Sequence, residues 1–188
     1  MHLTIARLRL REFVWDDWTA VHAYQSDPLY LRYYPWTERT ETDVQNFVQM
    51  FLDDQQARPR TKFQLATTLK SDGKLIGNCG IRINDPAQRE ANIGYELDSR
   101  YWGQGYAVEA ARAILEFGFA GLAMRRIWAE CIADNVGSAR VLEKLGMRLE
   151  KREAAKAFIK GAWRDNLIYA VAAHDWPHRS EKSGHEQQ

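Results

Sequence analysis

Asn92-Ile93-Gly94-Tyr95-Glu96-Leu97-Asp98-Ser99-Arg100-Tyr101-Trp102-Gly103-Gln104-Gly105-Tyr106-Ala107 is the stretch whose residue types and spacing carry chemistry. It reads as a strand, a glycine-punctuated turn and the start of a helix. The first backbone N–H groups of a helix have no intrahelical partner, and the macrodipole adds partial positive charge there. Together they make an anion site suited to a pyrophosphate. Gly103 and Gly105 permit unusual φ/ψ and carry no Cβ to block a phosphate. Ala107 keeps the helix wall small, and Arg100 offers a charge-assisted contact. Two glycines also suit a plain tight turn, so spacing alone leaves both readings open. A dinucleotide fingerprint is excluded by the missing third glycine, and a P-loop by the missing Gly-Lys-Ser/Thr ending.

A chain of 188 residues is about one domain's worth, at ~150 residues per domain. Its 45% hydrophobic content predicts a buried core. With 26 Lys+Arg against 25 Asp+Glu, the net charge of +1 provides no bulk field for nucleic acid. Two cysteines, Cys79 and Cys131, build neither a disulfide framework nor a metal cluster. Arg7, Arg9, Arg11 and Glu12 fill the stretch where a secretion signal needs apolar residues. No apolar run approaches the ~20 residues of a membrane span, so the expected setting is the cytoplasm.

Around the glycine turn the pattern predicts β-α-α-β-β-β-α-β-α-β-β. Leu8 and Leu10 alternate with Arg7, Arg9 and Arg11 in one opening strand. Asp16 or Asp17 is positioned to cap a helix carrying Trp18, Val21 and His22. Val44, Phe47, Val48, Phe51 and Leu52 follow the i, i+3, i+4, i+7, i+8 template behind Thr40 and Asp43. Strands are expected over 63–69, 75–83, 91–97, 126–132, 147–158 and 167–173. A long helix is expected over 106–121 and a short one over 138–145. The polar stretch Pro177 to Gln188 reads as a disordered tail after a domain of residues 1–176.

Arg100-x-x-Gly103-x-Gly105-x-Ala107 resembles the Q/R-x-x-G-x-G/A acyl-CoA signature of the GNAT N-acetyltransferases. The longer run RYWGQGYAVEA is similar to the branch that contains the ribosomal-protein N-terminal acetyltransferases (Rim type). Asn135-x-x-Ser138 followed by ARVLEKLGMRLE matches a second block of that branch. RLRLRE, LRYYPW, LIGNCGI and GAWRDNLIYAV are weaker matches, and the ordered set spans residues 4 to about 176. The resemblance implies a GNAT-like single α/β domain: a mixed sheet of about six to seven strands with a V-shaped splay, flanked by about four helices. It implies a CoA cradle between strands near 92–98 and 126–132. The pyrophosphate then lies on Arg100, Trp102, Gly103, Gln104, Gly105, Tyr106 and Ala107. The pantetheine arm runs along Leu97, Asp98 and Ser99, with Asn135 contacting it and Ser138 near the thioester sulfur.

Acetyl transfer to an amine needs a neutral nucleophile and a proton for the departing thiolate. Glu96, on the strand flanking the thioester, is the first candidate base, acting through water. A solvated strand carboxylate is the plainer reading of the same residue. Asn92 departs from the branch, many members of which carry glutamate there, and an amide is no base. Ser138 is positioned to donate to the leaving sulfur or to cap the helix that starts there. Other branches place a tyrosine acid four residues further on, where this chain has Leu142. His22 and Cys131 read better as packed residues than as catalysts. Tyr33, Tyr34 and Trp36 flank Pro35 in a loop where the Rim-type branch builds its acceptor side, and suit an amine by stacking or cation–π contact. Glu109 and Arg112 read as a structural pair on the long helix.

The expected function is transfer of acetyl from acetyl-CoA to a primary amine, a protein N-terminus or a small molecule, without a metal. The expected assembly is a monomer or homodimer, with neither nucleic acid nor membrane as partner. A non-catalytic acyl-CoA-binding module is the alternative that Asn92 keeps open.

Overall fold

The computed structural model describes residues 1–177. The opening arginine–leucine alternation folds as a hairpin of two strands, β1 (His2–Thr4) and β2 (Leu8–Glu12), not as one. Leu8 and Leu10 are buried and Arg9 between them is exposed, as the alternation requires. The turn at Ala6 and Arg7 contains neither glycine nor proline, so nothing in composition marked it. A single 3-10 turn at Trp15–Asp17 then leads into α1 (Trp18–Gln25). Asp17 makes no side-chain cap there. Its buried carboxylate instead holds the Arg11 guanidinium at two oxygens, 2.7 Å each, and accepts the Val14 N–H.

Asp27 does cap a helix, the one-turn α2 (Pro28–Leu31), by accepting the Leu29 N–H at 2.9 Å. Proline in the first turn loses no hydrogen bond. At α3 (Glu41–Gln56), Thr40 and Asp43 each accept the other's backbone N–H, at 3.2 and 2.9 Å, which completes a capping box. Val44, Val48 and Phe51 are the buried stripe.

β3 (Lys62–Leu69), β4 (Leu75–Asp85) and β5 (Glu90–Leu97) follow as an antiparallel meander. α4 (Tyr106–Glu116) ends one turn before the expected boundary, in a π-turn over Phe117–Gly121. Gly118 explains the close packing there. A Cβ on it would sit 2.5 Å from Ile127 Cδ1 and 2.6 Å from Ile81 Cδ1, so the helix rests directly on the sheet. β6 (Arg126–Ile132) and α5 (Val136–Lys144) lead to the hairpin β7 (Arg148–Ile159) and β8 (Ala162–Ala172). Its turn residues Lys160 and Gly161 both have positive φ, 48° and 80°, as a two-residue hairpin turn demands. β8 starts five residues before the expectation because Ala162–Asn166 extends a largely solvated ribbon and shows no apolar alternation.

The sheet has eight strands in the order β1-β2-β3-β4-β5-β6-β8-β7, one more than the upper expectation, and five α-helices where about four were expected. The divided opening strand and the one-turn α2 account for the differences. Among the described residues the β5–β6 ladder is parallel and the others antiparallel. Phe13, Val21, Tyr24, Val44, Val48 and Phe51 form one core under α1 and α3. Ile81, Ile114, Leu115, Ile127 and Leu142 belong to the core under α4 and α5. Of the expected tail from Pro177 to Gln188, everything after Pro177 lies outside the described residues. No helix among the described residues is long and apolar enough to cross a membrane.

Candidate active site

β5 and β6 pair over only three positions, Glu90 with Arg126, Ala91 with Ile127 and Asn92 with Trp128, and then part. Asn92 stands at this fork, its Oδ1 buried without a hydrogen-bond partner. Beyond it the backbone of β5 is free on one side. Asp98 N–H bonds Ile76 O toward β4, so strand alternation turns the amide groups of Tyr95 and Leu97, beyond the last β5–β6 pairing, to the open fork. The Leu97 carbonyl is already held there by Trp102 Nε1 at 2.8 Å.

The turn after β5 is tied down from several sides. Asp98 is buried and accepts Arg100 N–H at 3.0 Å while gripping the Arg100 side chain with both oxygens. Ser99 Oγ bonds Asp27. Gln104 Nε2 reaches back to Arg100 O at 3.1 Å. Gly103 and Gly105 have φ of +74° and +84°, the left-handed region that sequence spacing implied. Nothing lies within 4 Å of a Cβ built on Gly103, and only Arg7 Nη2, at 3.4 Å, near one on Gly105. The space at Gly103 and Gly105 is thus unobstructed, and the first-turn amides of α4, which lack intrahelical partners, begin beside it at Tyr106 and half-buried Ala107, an arrangement that fits a pyrophosphate.

Arg7 is the residue that sequence reasoning missed. Its guanidinium bonds Gln104 O at 3.0 Å and Glu109 at 2.8 Å and lies 4.2 Å from the Tyr106 ring centroid. Glu109 is thus paired with Arg7 and not with Arg112, which reaches Lys144 O instead. The β1–β2 turn buttresses the glycine turn from a distance of about a hundred residues in sequence.

Asp98 gives a pH signature to this turn. Burial pushes its carboxyl up, but hydrogen bonds from the Arg100 side chain and backbone, with the Arg100 charge, hold it below its ordinary value. A depressed folded-state value means the stabilisation is present above about pH 4 and lost as pH falls through the folded value. Asp98→Asn keeps an acceptor for the backbone N–H and removes the charge. The variant is expected to be slightly less stable at pH 7, since the Arg100 end is largely in solvent, with the gap closing below pH ~4. Urea melts of both proteins across that range test it; a gap independent of pH would contradict the assignment.

Glu96 is not a solvated strand carboxylate. Its Oε2 accepts from Tyr24 Oη at 3.1 Å, Gln25 Nε2 at 2.9 Å and Asn78 Nδ2 at 2.9 Å. Its Oε1 has only a long contact, 3.4 Å, from Tyr34 Oη. Gln25 and Asn78 are 1% and 2% exposed, and Asn78 Oδ1 accepts from Gln64 Nε2 at 2.6 Å. One carboxylate oxygen is thus saturated and the other left open. Burial, then the Glu96 charge, raises the Tyr24 and Tyr34 phenols well above their ordinary value, so both remain donors.

Of the expected acceptor aromatics, Tyr34 and Trp36 come together, stacked with ring centroids 4.7 Å apart. Tyr30 stacks on the other side of Tyr34, also at 4.7 Å. Tyr33 is outside this column, beside Arg32. His22 Nε2 bonds Arg39 O.

On the opposite face of β5, Tyr95 Oη meets Ser138 Oγ at 2.9 Å and Ser138 O at 3.1 Å. Ser138 does not cap α5. The helix begins at Val136, and Asn135 is its cap, Oδ1 accepting the Ser138 N–H at 3.1 Å. The Ser138 hydroxyl is thereby free for Tyr95. Leu142 is core, but a tyrosine hydroxyl does reach this point, from β5. Cys131 is buried against the Ser138 hydroxyl, and burial raises its thiol; Cys79 is pushed up to about 12 by burial. Glu96 and Ser138 therefore flank the fork from opposite faces of the sheet.

This forked sheet with its glycine turn is the architecture of an acyl-CoA-dependent acetyltransferase. Residues 7–148 match the family model described as an acetyltransferase (GNAT) domain, and the chain belongs to that family of acetyl-CoA-dependent N-acetyltransferases. The chain is 37% identical over 177 residues, 94% of its length and 99% of the relative's, to the uncharacterized N-acetyltransferase YnaD of Bacillus subtilis. The crystal structure of a GNAT-family acetyltransferase from Bacillus anthracis superposes with a TM-score of 0.80 at 32% identity, covering 93% of this chain and 99% of that one. The ribosomal-protein-S5-alanine acetyltransferase of Vibrio fischeri shares the fold, with a TM-score of 0.81 at 22% identity over 95% and 100% of the two chains.

Proposed function

We propose that the chain transfers acetyl from acetyl-CoA directly to a primary amine, with Glu96 as the base and Ser138 as the donor to the departing sulfur. The observation that carries this reading is the asymmetry at Glu96: Oε2 holds three donors and Oε1 faces the aromatic column almost free. In this reading CoA binds with its pyrophosphate on the amides from Trp102 to Ala107, beside Arg100. Its pantetheine arm runs along the end of β5 and the turn that follows, at Leu97, Asp98 and Ser99, with Asn135 at its side. Bound there, it supplies the activated acetyl group.

The acceptor enters past Tyr34 and Trp36. Its amine loses a proton through water to Glu96 Oε1 and attacks the thioester carbonyl; the C–N bond forms and the C–S bond breaks. The thiolate leaves on the opposite face of β5 and takes a proton from Ser138 or water. Tyr95 backs Ser138, because burial raises its phenol and keeps the proton available. Base and acid on opposite faces suit a carbonyl that is attacked from one side and expels its thiol on the other.

Thiol release from acetyl-CoA over a panel of amines and N-terminal peptides tests the reading. Amine-dependent release is expected; CoA binding without release for any amine would favour a binding module. Ser138→Ala is expected to lower kcat roughly tenfold, below the range of an obligatory general acid, since water also protonates a thiolate. A loss of ~10³-fold would make Ser138 indispensable.

A further inference from the structure

Arg39, Lys160 and Glu38 are the charged groups on the wall of a cavity of about 260 Å³ between the 26–39 segment and the β7–β8 turn. Arg39 Nε donates to Gln25 Oε1 at 3.1 Å and its Nη2 to Asp43 O at 3.4 Å; among the described residues Nη1 has no acceptor. Its guanidinium lies 5.1 Å from the Trp36 ring centroid and 5.7 Å from that of Phe47. Lys160 Nζ spends one hydrogen on Leu31 O at 2.9 Å, and an ammonium has two more to give. Neither cation forms an ion pair among the described residues. Glu38, on the same wall, pairs with neither and offsets one of the two positive charges.

Gln25 connects this cavity to Glu96. Its buried amide accepts from Arg39 and donates to Glu96 Oε2 at 2.9 Å, so Arg39 orients the amide that orients the carboxylate. The Arg39 Nε to Glu96 Oε2 separation is then at most roughly 8 Å, two hydrogen bonds and the width of an amide. The atoms left open, Glu96 Oε1 and Arg39 Nη1, belong to these same two groups, so one small molecule can carry its amine to the first and an anion to the second.

We propose that the acceptor is a small primary amine carrying a carboxylate within a few bonds of the amine, and that Arg39 and Lys160 are the subsite for that carboxylate. The proposal rests on the reading of Glu96 as the acceptor-side base. Guanidinium and ammonium donors are the groups that bind carboxylates by charge-assisted hydrogen bonds. A polyamine brings charge of the same sign to both cations and leaves their donors unused.

The test compares initial rates for free amino acids, the matching amino-acid amides, spermidine and short N-terminal peptides, each with acetyl-CoA. In every reacting acid–amide pair the acid is expected to show a KM lower by about tenfold or more. Lys160→Met, which leaves Gln25 untouched, and Arg39→Met are each expected to shrink that difference. Preference for amides, spermidine or peptides overturns the proposal, as does an acid–amide difference that survives both substitutions. Absence of thiol release with every amine, while calorimetry shows CoA bound, instead overturns the transferase reading beneath it.

Discussion

Glu96→Gln is expected to reduce acetyl transfer by ~10²-fold or more while CoA affinity stays near that of the wild type. Glutamine is isosteric, and its amide oxygen serves the three donors that Tyr24, Gln25 and Asn78 aim at Oε2. Those donors orient the new side chain, so its NH2 group takes the Oε1 position, where the acceptor amine arrives. A donor then stands where an acceptor of protons is needed. Raising pH is expected to restore part of the rate, because an alkyl amine with a pKa of about 10 becomes neutral in bulk solution as pH rises. A merely structural role for Glu96 predicts a fall in melting temperature and no pH-dependent recovery. Steady-state rates from pH 7 to 9.5, with calorimetric CoA affinity and thermal melts, separate the two. Near-normal turnover of the variant would move the base elsewhere.

The parts of this site that sequence shows are those built from contiguous residues. Gly103 and Gly105 sit two apart at a strand-to-helix junction, and their positive φ follows from glycine being the residue that tolerates it. The capping box at Thr40 and Asp43 and the apolar stripe of α3 are local for the same reason. The clamp on Glu96 is not. Tyr24 and Gln25 lie 72 and 71 residues away in sequence and Asn78 lies 18 away, so no spacing links them. Arg7 buttresses the glycine turn across 97 residues. The same limit explains the errors of partner choice. Glu109 and Arg112 lie one turn apart and invite pairing on helical spacing, yet the β1–β2 turn delivers Arg7 to Glu109 first. Ser138 and Asn135 both have capping side chains, and only the backbone geometry, with the helix starting at Val136, decides for Asn135.

Gly105→Val is expected to eliminate measurable CoA binding in a protein that remains folded. Gly105 is the N-cap of α4 at φ +84°, and a β-branched side chain in the left-handed region costs at least about 1–2 kcal/mol. That is a minor fraction of the 5–15 kcal/mol typical of a domain, so strain alone does not unfold the chain. The larger effect is at the ligand. Valine carries branched methyl groups into the space above the first-turn amides, where only Arg7 Nη2 stands near the added Cβ, and a phosphate can no longer reach those donors. Gly146 supplies the control, with φ +79° and nothing within 4 Å of an added Cβ. Gly146→Val imposes comparable backbone strain just after the C-terminal end of α5, the end opposite Asn135 and Ser138, and is expected to bind CoA as the wild type does. Calorimetric titration of the three proteins with CoA, each shown folded by circular dichroism, reads out the difference. Undiminished affinity in Gly105→Val would remove the pyrophosphate from this turn, and equal losses in both variants would assign the effect to stability and not to steric exclusion at the cradle.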